Sequence, residues 1–454
     1  MDVKRITMPT MKTIYAESTK PGHAALSVIR ISGPNAAATA LAITFQPLPS
    51  PRSAVLRSFH HPETKKPIDR GLLVYLKAPN SFTAEDTVEL HLHGSPAVVA
   101  AMLDALGSIE DIAPAQQGDF TRQAFENGRL DLAEVEALAD LIAAETELQR
   151  QQAWNSLDGA LRNLSEDWNG QLLSCLARVE AVIEFPEEDT LAATEAIHTP
   201  REQLRALLAQ VEAHLQNARC GERLREGIEI ALVGAPNVGK SSLYNALLGR
   251  ERVLVSPVPG TTRDIIEARL DLGGYPVTLV DMAGLREGGD ALESEGIARA
   301  RTRGADADVR LIVLTSELSP EERRESLSMR RDGDVVVLNK CDVLATDGED
   351  SSLPRLSART GEGMDGLLDA LVGVAGGLQG REHGVITRAR HRDVVGRFRA
   401  GLAEALAEMD NAEPDMELAA EGLRLAVRSL AYLCDPVDVE DVLGAVFSEF
   451  CIGK

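Results

Sequence analysis

Cysteine is scarce. The 454-residue chain has five (Cys175, Cys220, Cys341, Cys434 and Cys451), an odd number, widely spaced and without a CxxC pair. That pattern suits reduced thiols in the cytosol and argues against both a disulfide framework and a zinc site. Long apolar runs are missing too: no stretch approaches the ~18–20 consecutive apolar residues needed to cross a bilayer. The opening Met1-Asp2-Val3-Lys4-Arg5-Ile6 lacks the apolar core of a signal peptide. The expectation is a soluble cytoplasmic protein with no membrane partner. Basic residues are outnumbered, 47 Lys and Arg against 70 Asp and Glu, for a net charge of −23. A broad phosphate-binding face needs clustered Lys and Arg, so any contact with nucleic acid must use a local patch or a partner's surface.

What is present is ordinary globular material. Hydrophobic residues make 44% and charged residues 26%, which at roughly 150 residues per domain suggests two to four domains. Residues 1–127 are charge-balanced, with 12 basic and 12 acidic side chains. Within them Ala24–Ile31, Gly71–Leu76 and Thr87–His93 read as strands and Pro96–Leu106 as a helix, an α+β domain. From Leu130 to Cys220 the period becomes helical. Leu157, Leu161, Leu164, Trp168, Leu172, Leu176, Val179 and Ile183 form one apolar stripe on a long helix, and Leu204, Leu207, Val211 and Leu215 mark another.

Residues 228–375 alternate strands (Ile228–Val233, Val277–Val280, Val309–Leu314 and Val335–Leu338) with helices, which predicts a mostly parallel sheet covered on both faces. After Gly376-Gly377 the helical period returns in three stripes. They are Phe398, Leu402 and Leu406; Leu423, Val427, Leu430 and Leu433; and Val439, Val442, Val446 and Phe450. Neither helical segment alone makes more than a marginal core. The economical arrangement packs 128–220 with 380–454 as one discontinuous all-α domain and inserts an α/β unit, 221–379, between them.

Gly234-Ala235-Pro236-Asn237-Val238-Gly239-Lys240-Ser241 matches GxxxxGK[ST], after a predicted strand and opening a predicted helix. The backbone N–H groups of such a loop, with the helix N-terminus, cradle phosphates. Lys240 would reach the β- and γ-phosphates and Ser241 would bind Mg²⁺, with Asn237, Val238, Gly239 and Ser242 completing the phosphate contacts. As a lone pattern it also reads as a glycine-rich turn. Three further signals follow in order. Asp281-Met282-Ala283-Gly284 ends a strand and brings a carboxylate to Mg²⁺ and a backbone N–H to the γ-phosphate. Asn339-Lys340-Cys341-Asp342 ends another, and Asp342 can accept both N1–H and the 2-amino group of guanine, a donor edge adenine lacks. Ser357-Ala358-Arg359 resembles the loop that backs the base. The four together specify a GTP-binding domain.

In Ras-like proteins a glutamine after DxxG orients the attacking water, and here Leu285 stands in its place. Two side chains are candidates to compensate. The Asn237 amide could ligate a monovalent cation beside the phosphates, or the residue could simply form the turn. Glu293, twelve residues after Asp281, could fix a water through a second water, or could be a solvated surface carboxylate.

Gly260-Thr261-Thr262-Arg263-Asp264 and the ending Phe450-Cys451-Ile452-Gly453-Lys454 closely resemble the MnmE (TrmE) family of bacterial tRNA-modification GTPases. Arg30-Ile31-Ser32-Gly33, Asn80-Ser81-Phe82-Thr83-Ala84-Glu85-Asp86 and Ala283-Gly284-Leu285-Arg286-Glu287 add to the resemblance, which spans essentially the whole chain. It implies an N-terminal domain that binds a tetrahydrofolate derivative (5-formyl- or methylene-tetrahydrofolate) and forms the homodimer, a discontinuous helical domain, and an inserted Ras-like G domain. It implies potassium-activated hydrolysis with the G domains dimerised across their nucleotide faces. A heterotetramer with the flavoprotein MnmG, which carries FAD, would install an aminomethyl-type (carboxymethylaminomethyl) group at carbon 5 of the wobble uridine of certain tRNAs.

Carried over by residue, the potassium ligands fall on Asn237, Ser256, Val258 and Thr261, within a loop (Ser256, Pro257, Val258, Pro259, Gly260, Thr261) that also lies along the nucleotide. Thr262 falls on the switch threonine that joins Ser241 on Mg²⁺, and Glu293 on the water-orienting glutamate. Folate contacts fall on Arg30, Glu89, Arg129 and Lys454, with Cys451 at the pocket mouth as a catalytic candidate. Met282 stands where threonine is usual, and Arg129 where lysine is common. Arg30 and Glu89 also read as a plain ion pair, and His91 with His93, alternating along one strand, as a candidate metal pair lacking a third ligand. The competing function is a GTP-switched RNA- or ribosome-assembly factor without modification chemistry. Such proteins usually append a basic RNA-binding domain; residues 380–454 carry −5 and none of the usual RNA-binding signatures, which counts against that reading.

Overall fold

The computed structural model describes residues 12–184, 190–254, 266–281, 307–343, 353–379, 384–434, 444, 446–448, 450, 452 and 453. The chain forms two compact units, one of residues 1–139 with 434–454 and the other of 140–433.

The first unit is built on a six-stranded sheet. Its strands are β1 (Thr13–Glu17), β2 (Ser27–Ser32), β3 (Ala54–His60), β4 (Pro67–Leu76), β5 (Thr87–Leu92) and β6 (Ile112–Pro114), in the order β3-β4-β5-β2-β1-β6. All neighbours are antiparallel except β1 and β6. Because strand side chains alternate, Ile29, Ile31, Val88, Leu90, Leu92, Leu73 and Tyr75 share one face. There they bury against helices α1 (Ala36–Thr44) and α2 (Pro96–Gly107) through Ala36, Ala40, Ile43, Val99, Met102 and Leu106. The alternate residues Arg30, Glu89 and His91 face the other way. Helix α3 (Asp119–Glu126) contributes Phe120 to a cluster with Ile14, Ala16 and Ala115 from the β1–β6 edge. Helix α4 (Leu132–Ala143) buries Leu132 and Val135 against Val446, Phe447 and Phe450. The third helical stripe of the sequence, as far as it is described, thus packs in the first unit and not among the long helices.

In the second unit the long helices are α5 (Glu147–Leu157), α6 (Ala160–Glu184) and α7 (Thr190–Glu226). The stripe expected to run unbroken from Leu157 is interrupted: Leu157 ends α5, and Gly159, with φ +90, turns the chain into α6. Thr146 caps α5, its hydroxyl accepting from Gln149 N–H while the Gln149 side chain returns the bond.

The nucleotide-type sheet comprises β7 (Ile228–Val233), β8 (Arg252–Leu254), β9 (Ile266–Leu272), β10 (Tyr275–Asp281), β11 (Val309–Leu314) and β12 (Val335–Leu338), ordered β12-β11-β7-β10-β9-β8. The four strands β12, β11, β7 and β10 are parallel; β9 and β8 add antiparallel at the edge. Helices α8 (Lys240–Arg250), α9 (Pro320–Ser328) and α10 (Met364–Gln379) accompany it. Alternate residues of β11 and β12 enter different clusters: Leu311, Val313, Val335 and Val337 one, Ile312, Leu314, Val336 and Leu338 the other. Burial on both faces is why these strands read as unbroken apolar runs.

Helices α11 (Ala389–Met409) and α12 (Met416–Ala431) return to α6 and α7. Trp168 of α6, fully buried, stacks on Phe398 of α11 with ring centroids 5.7 Å apart and meets the His214 ring of α7 edge-on at 5.3 Å. Residues 140–226 and 384–433 are therefore one helical body, with the sheet between them in sequence. Trp168→Ala is expected to cost ~3–5 kcal/mol of stability, measured by denaturant unfolding; a loss under about 1 kcal/mol would deny it that central place. Where α11 and α12 cross, a Cβ on Gly401 would lie 2.9 Å from Gly422 O.

Candidate functional site

Three parallel strands end together and set the nucleotide-type site. At the C-terminal edge of β7 the chain enters the 234–239 loop, with Gly234, Asn237 and Gly239 at φ +151, +63 and +95. Two of these positions have no room for a side chain: a Cβ would meet Val313 O at 2.4 Å from Gly234 and Asn339 Nδ2 at 2.4 Å from Gly239. Asn237 tolerates the left-handed backbone and leaves its side chain exposed. The buried Lys240 Nζ donates to the carbonyls of Gly234 (2.8 Å) and Ala235 (2.9 Å), which folds the loop around the ammonium. Burial pushes the Lys240 pKa below the ordinary lysine value, with the nearby Asp281 charge opposing it.

Asp281, at the end of β10 and buried, accepts a 2.9 Å hydrogen bond from Ser241 Oγ in the first turn of α8. The hydroxyl and carboxylate that the sequence assigned to a magnesium ion thus lie side by side, a hard oxygen pair suited to that ion. Asn339, just past β12, spans the site: its Nδ2 donates to Val238 O at 2.9 Å, and its Oδ1 accepts from Ala358 N–H at 3.1 Å. This one amide fixes the phosphate loop and the 357–359 loop together. Ser357 is fully buried, its Oγ accepting from Thr360 N–H, while Arg359 is exposed. Asp342 is exposed, free to meet a base edge, and Lys340 Nζ approaches Glu317 at 3.5 Å. Valley and loops occupy the strands' carboxyl ends, where nucleotide sites form in open α/β sheets. Ser242 lies exposed on the first turn of α8.

A second cluster lies on the open sheet face of the first unit. Arg30 on β2 and Glu89 on β5 are register partners. Arg30 Nε and Nη2 both donate to Glu89 Oε1, at 3.2 and 3.0 Å. The guanidinium carbon sits 5.8 Å from the Phe82 ring centroid and 5.7 Å from that of Phe120. Sequence reasoning gave these two phenylalanines no role. Their signal was a lone aromatic in each of two polar segments, Ser81 to Asp86 and Gly118 to Gln123, in a chain with 4% aromatics. Arg129 follows α3 with its side chain exposed, in no ion pair among the described residues. The C-terminus arrives at the same unit. Ile452 bridges to Gln117, and Gly453 O accepts from Ser18 Oγ at 2.9 Å. His93 is taken by Asp69 (2.8 Å), and no group of three potential metal ligands occurs among the described residues.

Ser256, Pro257, Val258, Pro259, Gly260, Thr261, Thr262, Met282, Ala283, Gly284, Glu293, Cys451 and Lys454 lie outside the described residues. Among the described residues, no helix is long and apolar enough to cross a membrane.

Comparison with known proteins agrees with this geometry. Residues 13–129 match the family model described as GTP-binding protein TrmE N-terminus, and residues 132–451 that of the MnmE helical domain. The tRNA modification GTPase MnmE of Parvibaculum lavamentivorans is 49% identical, covering 98% of this chain and 100% of the relative. The protein of the same name from Paramagnetospirillum magneticum is 45% identical over 98% and 100%. A more distant relative is the mitochondrial 5-taurinomethyluridine-[tRNA] synthase subunit GTPB3 of Danio rerio, 40% identical over 98% of this chain and 94% of its own. The chain therefore belongs to the MnmE (TrmE) family of tRNA modification GTPases.

Proposed function

We propose that this protein is a potassium-activated GTPase that, with the flavoprotein MnmG, modifies carbon 5 of the wobble uridine of certain tRNAs in the cytoplasm. The one-carbon unit comes from a tetrahydrofolate derivative held by the N-terminal domain, 1–127, which also forms the homodimer. The helical body of residues 140–226 and 384–433 serves as the helical domain, and the sheet-bearing segment between them in sequence as the G domain. The observation that carries the reading is the convergence of Lys240, Ser241, Asp281 and Asn339 at the carboxyl ends of β7, β10 and β12.

In the G domain, Lys240 and the N–H groups of 237–242 hold the phosphates, while Ser241 and Thr262 hold Mg²⁺. Asp342 reads guanine, and Ala358 backs it. Asn237, Ser256, Val258 and Thr261 ligate a potassium ion, which supplies positive charge beside the phosphates. Glu293 positions the attacking water that Leu285 cannot. In the N-terminal domain the Arg30–Glu89 pair, flanked by phenyl rings, suits a flat, polar-edged pterin, for which a carboxylate accepts paired N–H donors. Arg129 and Lys454 supply cations for the carboxylates of the folate tail, and Cys451 stands at the pocket mouth.

The experiment is steady-state GTP hydrolysis in potassium and in sodium buffer of equal ionic strength. The expected result is a large acceleration specific to potassium. Equal, slow rates in both salts would instead indicate a switch awaiting an external activator, as in an assembly GTPase.

A further inference from the structure

His91 is the histidine of the first unit's open face that the reading above leaves without a task. It lies two residues beyond Glu89 on β5, so the two side chains share a face. Its Nε2 is 3.5 Å from Glu89 Oε2, the oxygen that Arg30 does not take. Both side chains are mostly buried, 25% and 21% exposed.

The rest of its surroundings leave the ring to Glu89. The register partners of His91 are Val28 on β2 and Leu72 on β4, both apolar. Two residues further on the same side of those strands stand Arg30 and Arg70, neither of them a carboxylate. His93, beyond it on its own strand, is held by Asp69. Among the described residues, Glu89 is thus the carboxylate that faces the His91 ring.

A glutamate carboxyl rotates over a broad torsional range, and a contact to one oxygen does not fix its plane. Arg30 secures Oε1 and His91 secures Oε2. We infer that His91 is a positioning residue of the pterin end of this site, holding the Glu89 carboxylate in the orientation that a pterin's paired N–H donors require. This rests on the folate reading above. The imidazole can donate from Nε2 to that carboxylate oxygen.

The test is calorimetric titration of the full-length protein with 5-formyl-tetrahydrofolate at neutral pH. His91→Leu is expected to weaken binding about tenfold at neutral pH, the loss of a hydrogen bond to a charged acceptor. His91→Gln keeps a donor without the charge. It is expected to bind within about twofold of the parent, a rescue by the retained donor that a space-filling role would not give. Binding by His91→Leu as tight as the parent's, or by His91→Gln as weak as that of His91→Leu, would overturn the inference and leave the folate reading standing. No saturable binding by the parent would remove both.

Discussion

Glu293→Ala is expected to leave GTP affinity nearly unchanged and to cut turnover ~10²-fold or more, the scale of a lost positioning or acid–base group. Under that proposal the water is held from outside the described site. Asp281 is buried and accepts a hydrogen bond from Ser241 Oγ. Lys240 is folded into the loop carbonyls, and Asn339 spends both ends of its amide on the loops. Leu285 has no polar atom with which to orient a water. A single-turnover assay with mant-GTP binding in parallel separates the two quantities. Near-normal turnover in the variant would return Glu293 to the solvated surface.

Deleting residues 451–454 is expected to abolish tRNA modification while sparing GTP hydrolysis. The tail belongs to the first unit and the phosphate loop to the second, so the loss should fall on one activity alone. Its docking is specific. Gly453 has φ +96, and a Cβ there would lie 2.2 Å from Glu17 O. Gly118, on the neighbouring helix entry, has φ +75 and would place a Cβ 2.6 Å from Phe447 O. Such contacts admit only glycine. Gly453→Ala should therefore displace the end of the chain and lower modification sharply, with GTP hydrolysis again the control. Mass spectrometry of the modified uridine reads the first activity and phosphate release the second. Unimpaired modification by the truncated protein would make the tail a frayed end.

Much of the nucleotide site was legible because its chemistry is local. A phosphate loop needs its glycines, lysine and serine within eight consecutive residues, and the strands that carry it are buried on both faces and read as apolar runs. Ile228–Val233, Val309–Leu314 and Val335–Leu338 were expected with the bounds that the structure shows. The strands β8 and β9 were not, since an edge hairpin with one solvated face carries a weaker apolar signal.

The folate-type cluster was legible only in part. Arg30 and Glu89 could be named through the family resemblance, yet their 59-residue separation hides the register that pairs them. Phe82, Phe120 and His91 acquire a place only once β2, β5 and α3 come together.

The sequence by itself thus determined the secondary-structure periods, the order of the four nucleotide motifs, and the family, because each is written in residues close along the chain. Tertiary structure decided the rest: the break at Gly159, the close crossing of Gly401 and Gly422, the clamp of Asn339 across two loops, and the docking of Ile452 and Gly453 beside β1 and Gln117. Each depends on contacts between residues far apart in sequence, where backbone approach and side-chain packing, not periodicity, select the arrangement.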